Sequence, residues 1–143
     1  MKTKLSFNKT ILKLLTAIVF LTINFGLIAQ EKKSNDLSDF KIVIKKTENG
    51  VAMKCLKGCA WTHLSFNLYE NYAQPVDQNG MAELNKVSSN RDSNLAHFLF
   101  TIAKTDNGIK LKGIKGTAWT RLSFSLNKYQ EQAIDQNGMA DMK

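Results

Sequence analysis

Residues Leu37–Leu84 align with Leu95–Met142 at a constant offset of 58, without a gap and with 24 identities in 48 positions. Such self-similarity encodes one supersecondary unit used twice. No other feature narrows the fold so far, because one packing solution must serve two nearly equal pieces. "CAWTHLSF" (Cys59–Phe66) returns as "TAWTRLSF" (Thr117–Phe124), and "VDQNGMA" returns as "IDQNGMA". Repeat 1 is assigned to residues 37–84 and repeat 2 to residues 95–143. Between them, residues 85–94, "NKVSSNRDSN", read as a polar, turn-rich linker.

Each repeat reads as β structure. Phe40, Ile42 and Ile44 alternate with Lys41 and Lys45, the pattern of a half-buried strand. "TENG", and "TDNG" in repeat 2, place Asn-Gly between alternating apolar runs, which is the strongest short-range hairpin signal. The returning strands carry Val51 and Met53, or Ile109 and Leu111. A Lys-Gly turn (Lys57-Gly58, Lys115-Gly116) leads to a third strand, whose apolar side is Leu64, Phe66 and Leu68, or Leu122, Phe124 and Leu126. For Met53 and Leu64 to share a face, the intervening loop must have even length or carry a bulge. "DQNG" then supplies a second Asn-Gly turn between two short segments.

A sheet of three or four short strands is marginal alone. The expected fold class is therefore all-β: two tandem repeats of three to four short antiparallel strands, packed as a pseudo-twofold sandwich or barrel with one shared core. Two separate mini-domains on a linker are the alternative. On the outer face of the first strand, Lys41, Val43 and Lys45 become Leu99, Thr101 and Ala103 in repeat 2. That drier face predicts a more central strand, or a contact between copies, in repeat 2.

At the N-terminus a basic segment, Met1–Lys13, precedes an apolar run, Leu14–Ile28, of 15 residues, and then "AQEKKSND". This is the layout of a secretory signal peptide over residues 1–29, cleaved after Ala29. The run is shorter than the ~20 residues that span a bilayer. No membrane span follows it, and residues 30–36 read as an N-terminal tail. The formal charge of +8 includes four lysines of the leader; without them 16 basic and 12 acidic residues remain, spread along the chain. No Lys/Arg block marks a nucleic-acid footprint. The expected location is secreted or periplasmic, including the cell surface.

Few residues carry chemistry. Cys55 and Cys59 are the only cysteines, and repeat 2 replaces both, with Gly113 and Thr117. Loss of both together, around a tight turn in an exported chain, predicts a disulfide. The alternative adds His63 to make C-x3-C-x3-H, three ligands for zinc or copper, although this spacing matches no zinc motif. Asp77, Asn79 and Glu83, and likewise Asp135, Asn137 and Asp141, alternate oxygen ligands, but Asx-stabilised turns explain "DQNG" more simply than calcium. Strand alternation puts Trp61 and His63 on the face opposite Leu64, and Trp119 and Arg121 on the equivalent face of repeat 2. These four residues form the candidate binding face. The competing reading packs each Trp over its hairpin turn.

The string "F-x-I-x-K-T-x-N-G-I-x-L-K-G-x-K-G-T-A-W-T-x-L-S-F-x-L" followed by "A-I-D-Q-N-G-M", together with the Ala29-Gln30 junction, resembles small exported tandem-repeat proteins of flavobacteria and their relatives. The resemblance covers nearly all of the chain beyond residue 29. It implies an exported repeat protein and supplies no activity, cofactor or catalytic residue. The expected function is that of a secreted, non-enzymatic β module with a binding or structural role and no cofactor. Its ligand class is left open among carbohydrate, peptide and cell-surface component. A metal-handling periplasmic protein using Cys55, Cys59 and His63 is the alternative.

Overall fold

A computed structural model of the chain describes residues 37–86 and 92–143. The expected signal peptide, the N-terminal tail and residues 87–91 of the linker lie outside the described residues.

Every regular element described is a strand. Repeat 1 forms β1 (Lys41–Lys46), β2 (Gly50–Lys57), β3 (His63–Asn67), β4 (Gln74–Asp77) and β5 (Gly80–Met81). Repeat 2 forms β6 (Leu99–Lys104), β7 (Gly108–Lys115), β8 (Arg121–Ser125), β9 (Glu131–Asp135) and β10 (Gly138–Ala140). Each repeat thus has five strands rather than three or four, because the segments flanking "DQNG" both enter a ladder. The two antiparallel five-stranded sheets are not closed into a barrel, and the all-β pseudo-twofold sandwich is the fold observed.

Strand order departs from a simple stacking of copy on copy. Sheet I runs β10-β9-β1-β2-β3, and sheet II runs β5-β4-β6-β7-β8. Each repeat therefore builds three strands of one sheet and sends its terminal hairpin into the other. Lys41 pairs with Asp135 and Ile42 with Ile134, while Asp77 pairs with Leu99 and Val76 with Phe100. The first strands β1 and β6 both occupy the middle of their sheets. The dry outer face of β6 does not mark a more central position, as its composition suggests, since β1 with its lysines is equally central.

Register obeys the parity condition. Val51 pairs with Phe66 and Met53 with Leu64, and the Cys55 amide donates to the Thr62 carbonyl at 2.9 Å. The six residues 56–61 lie between the last pair, an even number, so apolar residues of β2 and β3 share the inner face. One core cluster joins both repeats: Phe40, Ile42, Ile44, Val51 and Met53 pack with Phe98, Phe100, Ile102, Ile109 and Leu111. Ring centroids of Phe40 and Phe98 lie 4.4 Å apart, and those of Phe98 and Phe100 lie 5.6 Å apart.

The repeats also clasp each other at their turns. The Ala96 amide of repeat 2 donates to Gly58 O, and the Ser38 amide of repeat 1 donates to Gly116 O, both at 2.9 Å. Ser38 Oγ also donates to the His97 carbonyl. Gly58 and Gly116 have φ of +89° and +77°, and a Cβ on Gly58 would lie 2.7 Å from Asp39 O and 2.8 Å from Ala96 Cβ. The Lys-Gly turns need glycine both for the left-handed backbone and for this close approach.

Candidate functional site

The repeated "AWT" and "DQNG" strings meet in space. Trp61 Nε1 donates to Asp77 O at 3.1 Å, and Trp119 Nε1 donates to Asp135 O at 3.0 Å. Beside them the Ala60 amide reaches Gln78 O at 2.8 Å, and the Ala118 amide reaches Gln136 O at 2.7 Å. The aspartate of each hairpin then holds its own turn: Asp77 Oδ1 accepts from the Asn79 and Gly80 amides, and Asp135 Oδ1 from those of Asn137 and Gly138. Gln74 and Gln132 extend the brace, each donating from Nε2 across the hairpin to Ala82 O or Ala140 O. Because the hairpin lies in the opposite sheet, each Trp spans the sandwich and locks the exchange.

This corrects the placement of the tryptophans on an outer binding face. Trp119 is 8% exposed, with its ring centroid 6.0 Å from that of Phe100, and Trp61 is half-buried against the same core. The physical reason is local. β3 and β8 begin at His63 and Arg121, and the last bonds to β2 and β7 are made by Thr62 O and Thr120 O, so Ala60-Trp61 and Ala118-Trp119 precede the ladder and are not bound by its alternation. His63 and Arg121 do stand exposed on the outer faces, but their tryptophan neighbours have turned inward.

Cys55 and Cys59 form a disulfide, with Cα atoms 6.2 Å apart. Both sulfurs are consumed in that bond, leaving no thiolate to join His63 as a metal ligand. Among the described residues, no three of His, Cys, Asp and Glu are grouped for a metal ion. Repeat 2 fills the same space without sulfur. Thr117 is 1% exposed and its Oγ1 donates to Trp119 O at 2.8 Å. A Cβ on Gly113 would lie 2.1 Å from that Oγ1, which is why glycine and threonine accompany one another there.

With the locks duplicated, the repeats differ in core side chains such as Ile42 and Phe100 and also on their outer faces. On sheet II, Lys110 and Lys112 alternate with buried Ile109 and Leu111 and project outward. Lys112 stands directly opposite Arg121, and Lys110 opposite Ser123. The equivalent positions on sheet I are Ala52, Lys54 and His63, with Lys54 opposite His63 and Ala52 opposite Ser65. Sheet I keeps a balancing acid, since Lys45 pairs with Glu131 at 3.8 Å. Among the described residues, no ion pair is made by Lys110, Lys112 or Arg121; besides Lys45 with Glu131, the pairs present join Lys57 to Asp39, Lys86 to Glu83 and Lys128 to Glu48. The Glu48 contact raises the Lys128 ammonium above the ordinary lysine range. Alternation along β7 and β8 marks each of these cations as outward-facing, and the ladder register brings them together.

Comparison of the chain with known protein families, with curated proteins and with solved structures finds no match. Fold and surface together define a class: a two-repeat β-sandwich closed by exchanged hairpins, with one cation-rich outer face and one of mixed charge.

Proposed function

We propose that this chain is an exported, non-enzymatic binding module that works through the outer faces of its sheets. The observation carrying this reading is the contrast between its two halves. The tryptophan locks, Asx turns and glycine clasps are kept in both repeats, whereas the outward positions of β2 and β3 differ from those of β7 and β8. A fold used twice, with Ala52 and His63 of one outer face standing where the other carries Lys110 and Arg121, suits recognition of an extended, charged partner. The disulfide and the N-terminal signal pattern support work in an oxidising, extracytoplasmic place.

The test has two parts. N-terminal analysis of the exported protein is expected to find Gln30 first; an intact Met1 or apolar run would overturn the export reading. Incubated with washed cells of its source, the purified chain is expected to be retained saturably by the envelope or its extracellular polymers. Absence of retention would overturn the binding reading.

A further inference from the structure

We infer that the outer face of β7 and β8 is a binding site for an acidic polysaccharide, held by Lys110, Lys112 and Arg121. The inference deepens the binding reading above and rests on it. Lys110 and Lys112 are separated by one residue on β7, about 7 Å, and Arg121 faces Lys112 across the ladder at about 5 Å. Like charges directly opposite one another destabilise a sheet pair. Here that cost is left unrelieved, because no described carboxylate pairs with any of the three. The neighbouring acids are elsewhere: Asp106 lies in the β6–β7 turn, and Asp77 and Asp135 cap hairpin turns.

The ground beside the cations has the character that a sugar needs. A shallow cavity of about 430 Å³ includes Lys110 in its wall, with polar lining from Thr105, Asn107, Ser123 and Ser125 and apolar lining from Ile109 and Phe124. Three hydroxyls and an amide supply donors and acceptors for ring hydroxyls, while the ammonium and guanidinium groups take carboxylate or sulfate; Arg does so in bidentate fashion. The outward positions of β6, β7 and β8 carry no aromatic ring, so the face has no stacking platform of the kind single-stranded nucleic acids use. Its exposed apolar contribution is Ile114, 42% exposed, too little for insertion into a lipid surface.

The protein carries its own control. Lys110→Ala with Arg121→His gives sheet II the residues that sheet I bears in the same fold, and Ala52→Lys with His63→Arg does the reverse. Binding of the full chain to immobilised polygalacturonate is measured at low salt and again at about 0.15 M, where screening shortens electrostatic reach to about 8 Å. The wild type is expected to bind, more weakly at the higher salt, and to ignore neutral dextran. The K110A/R121H variant is expected to lose at least about tenfold in affinity, with an unchanged melting curve. The A52K/H63R variant is expected to gain a second site per chain. Equal affinity of wild type and K110A/R121H overturns the inference, as does tighter binding to oligo(dT) than to polygalacturonate. Envelope retention without polygalacturonate binding overturns this inference alone; failure of both overturns the binding reading with it.

Discussion

Replacing Trp119 by Ala tests the claim that the tryptophans lock exchanged hairpins. The ring is 8% exposed and packs on Phe100, so nearly its whole apolar surface returns to water on unfolding. Some 150 Å² beyond Ala, at about 25 cal/mol per Å², gives about 4 kcal/mol, within the usual range for losing a buried aromatic. Loss of the bond to Asp135 O adds about 1 kcal/mol unless water replaces the indole. Trp61 is only half-buried, and its replacement by Ala should cost about half as much. Trp119→Phe keeps most of the area, so its cost should be about 1–2 kcal/mol, chiefly the hydrogen bond. Urea unfolding followed by far-ultraviolet circular dichroism measures the totals. Hydrogen exchange locates them: protection in Trp119→Ala should fall first at Glu131–Ala140, which lies in sheet I although the mutated residue precedes a strand of sheet II. A cost below about 1 kcal/mol, or a loss of protection centred on β6–β8 with β9–β10 unchanged, would refute the lock.

Three further outcomes are expected. The Cys55→Gly, Cys59→Thr variant, which copies repeat 2, should still fold and lose about 2 kcal/mol in denaturant titration, whereas Gly113→Cys alone should be far more damaging because its Cβ meets Thr117. A protease site placed within residues 87–91 and cut after folding should leave two fragments that co-elute on gel filtration, since each sheet contains strands of both repeats; separation into independent folded halves would contradict the exchange. Tyr129 has a φ of +69°, where repeat 1 places Asn71 at +62°; Tyr129→Gly should therefore raise the unfolding free energy by about 1 kcal/mol, read from the shift in urea midpoint.

Much of this fold is legible along the chain. The Asn-Gly turns, the alternation over Phe40–Ile44 and Leu64–Leu68 and the Cys55–Cys59 bond follow from neighbouring residues, and the shared core from the marginal stability of one short sheet alone. The hairpin exchange does not. β4 has the same local pattern whether it lies beside β1 or beside β6, and only the path of residues 68–73 decides between them. The tryptophans mislead for a related reason. Alternation holds inside a ladder, and extending it two residues upstream of His63 and Arg121 carries it past the point where the backbone turns. At the surface, each cation of the β7–β8 face is visible in sequence, but the cluster depends on a register that only pairing defines.

The pairing of β1 with β9 also sets the order in which this chain becomes a protein. Lys41 and Asp135 are ladder partners, so β1, the first of the described strands in chain order, waits for β9, the ninth. Until then sheet I lacks two of its five strands, and sheet II cannot be covered by a complete partner. Contacts this distant in sequence close slowly, because the loop entropy is spent before the contacts that reward it form. The bond between Cys55 and Cys59, four residues apart, needs only its own turn, whereas sheet I stays unfinished until β9 and β10 arrive and the hairpins change places.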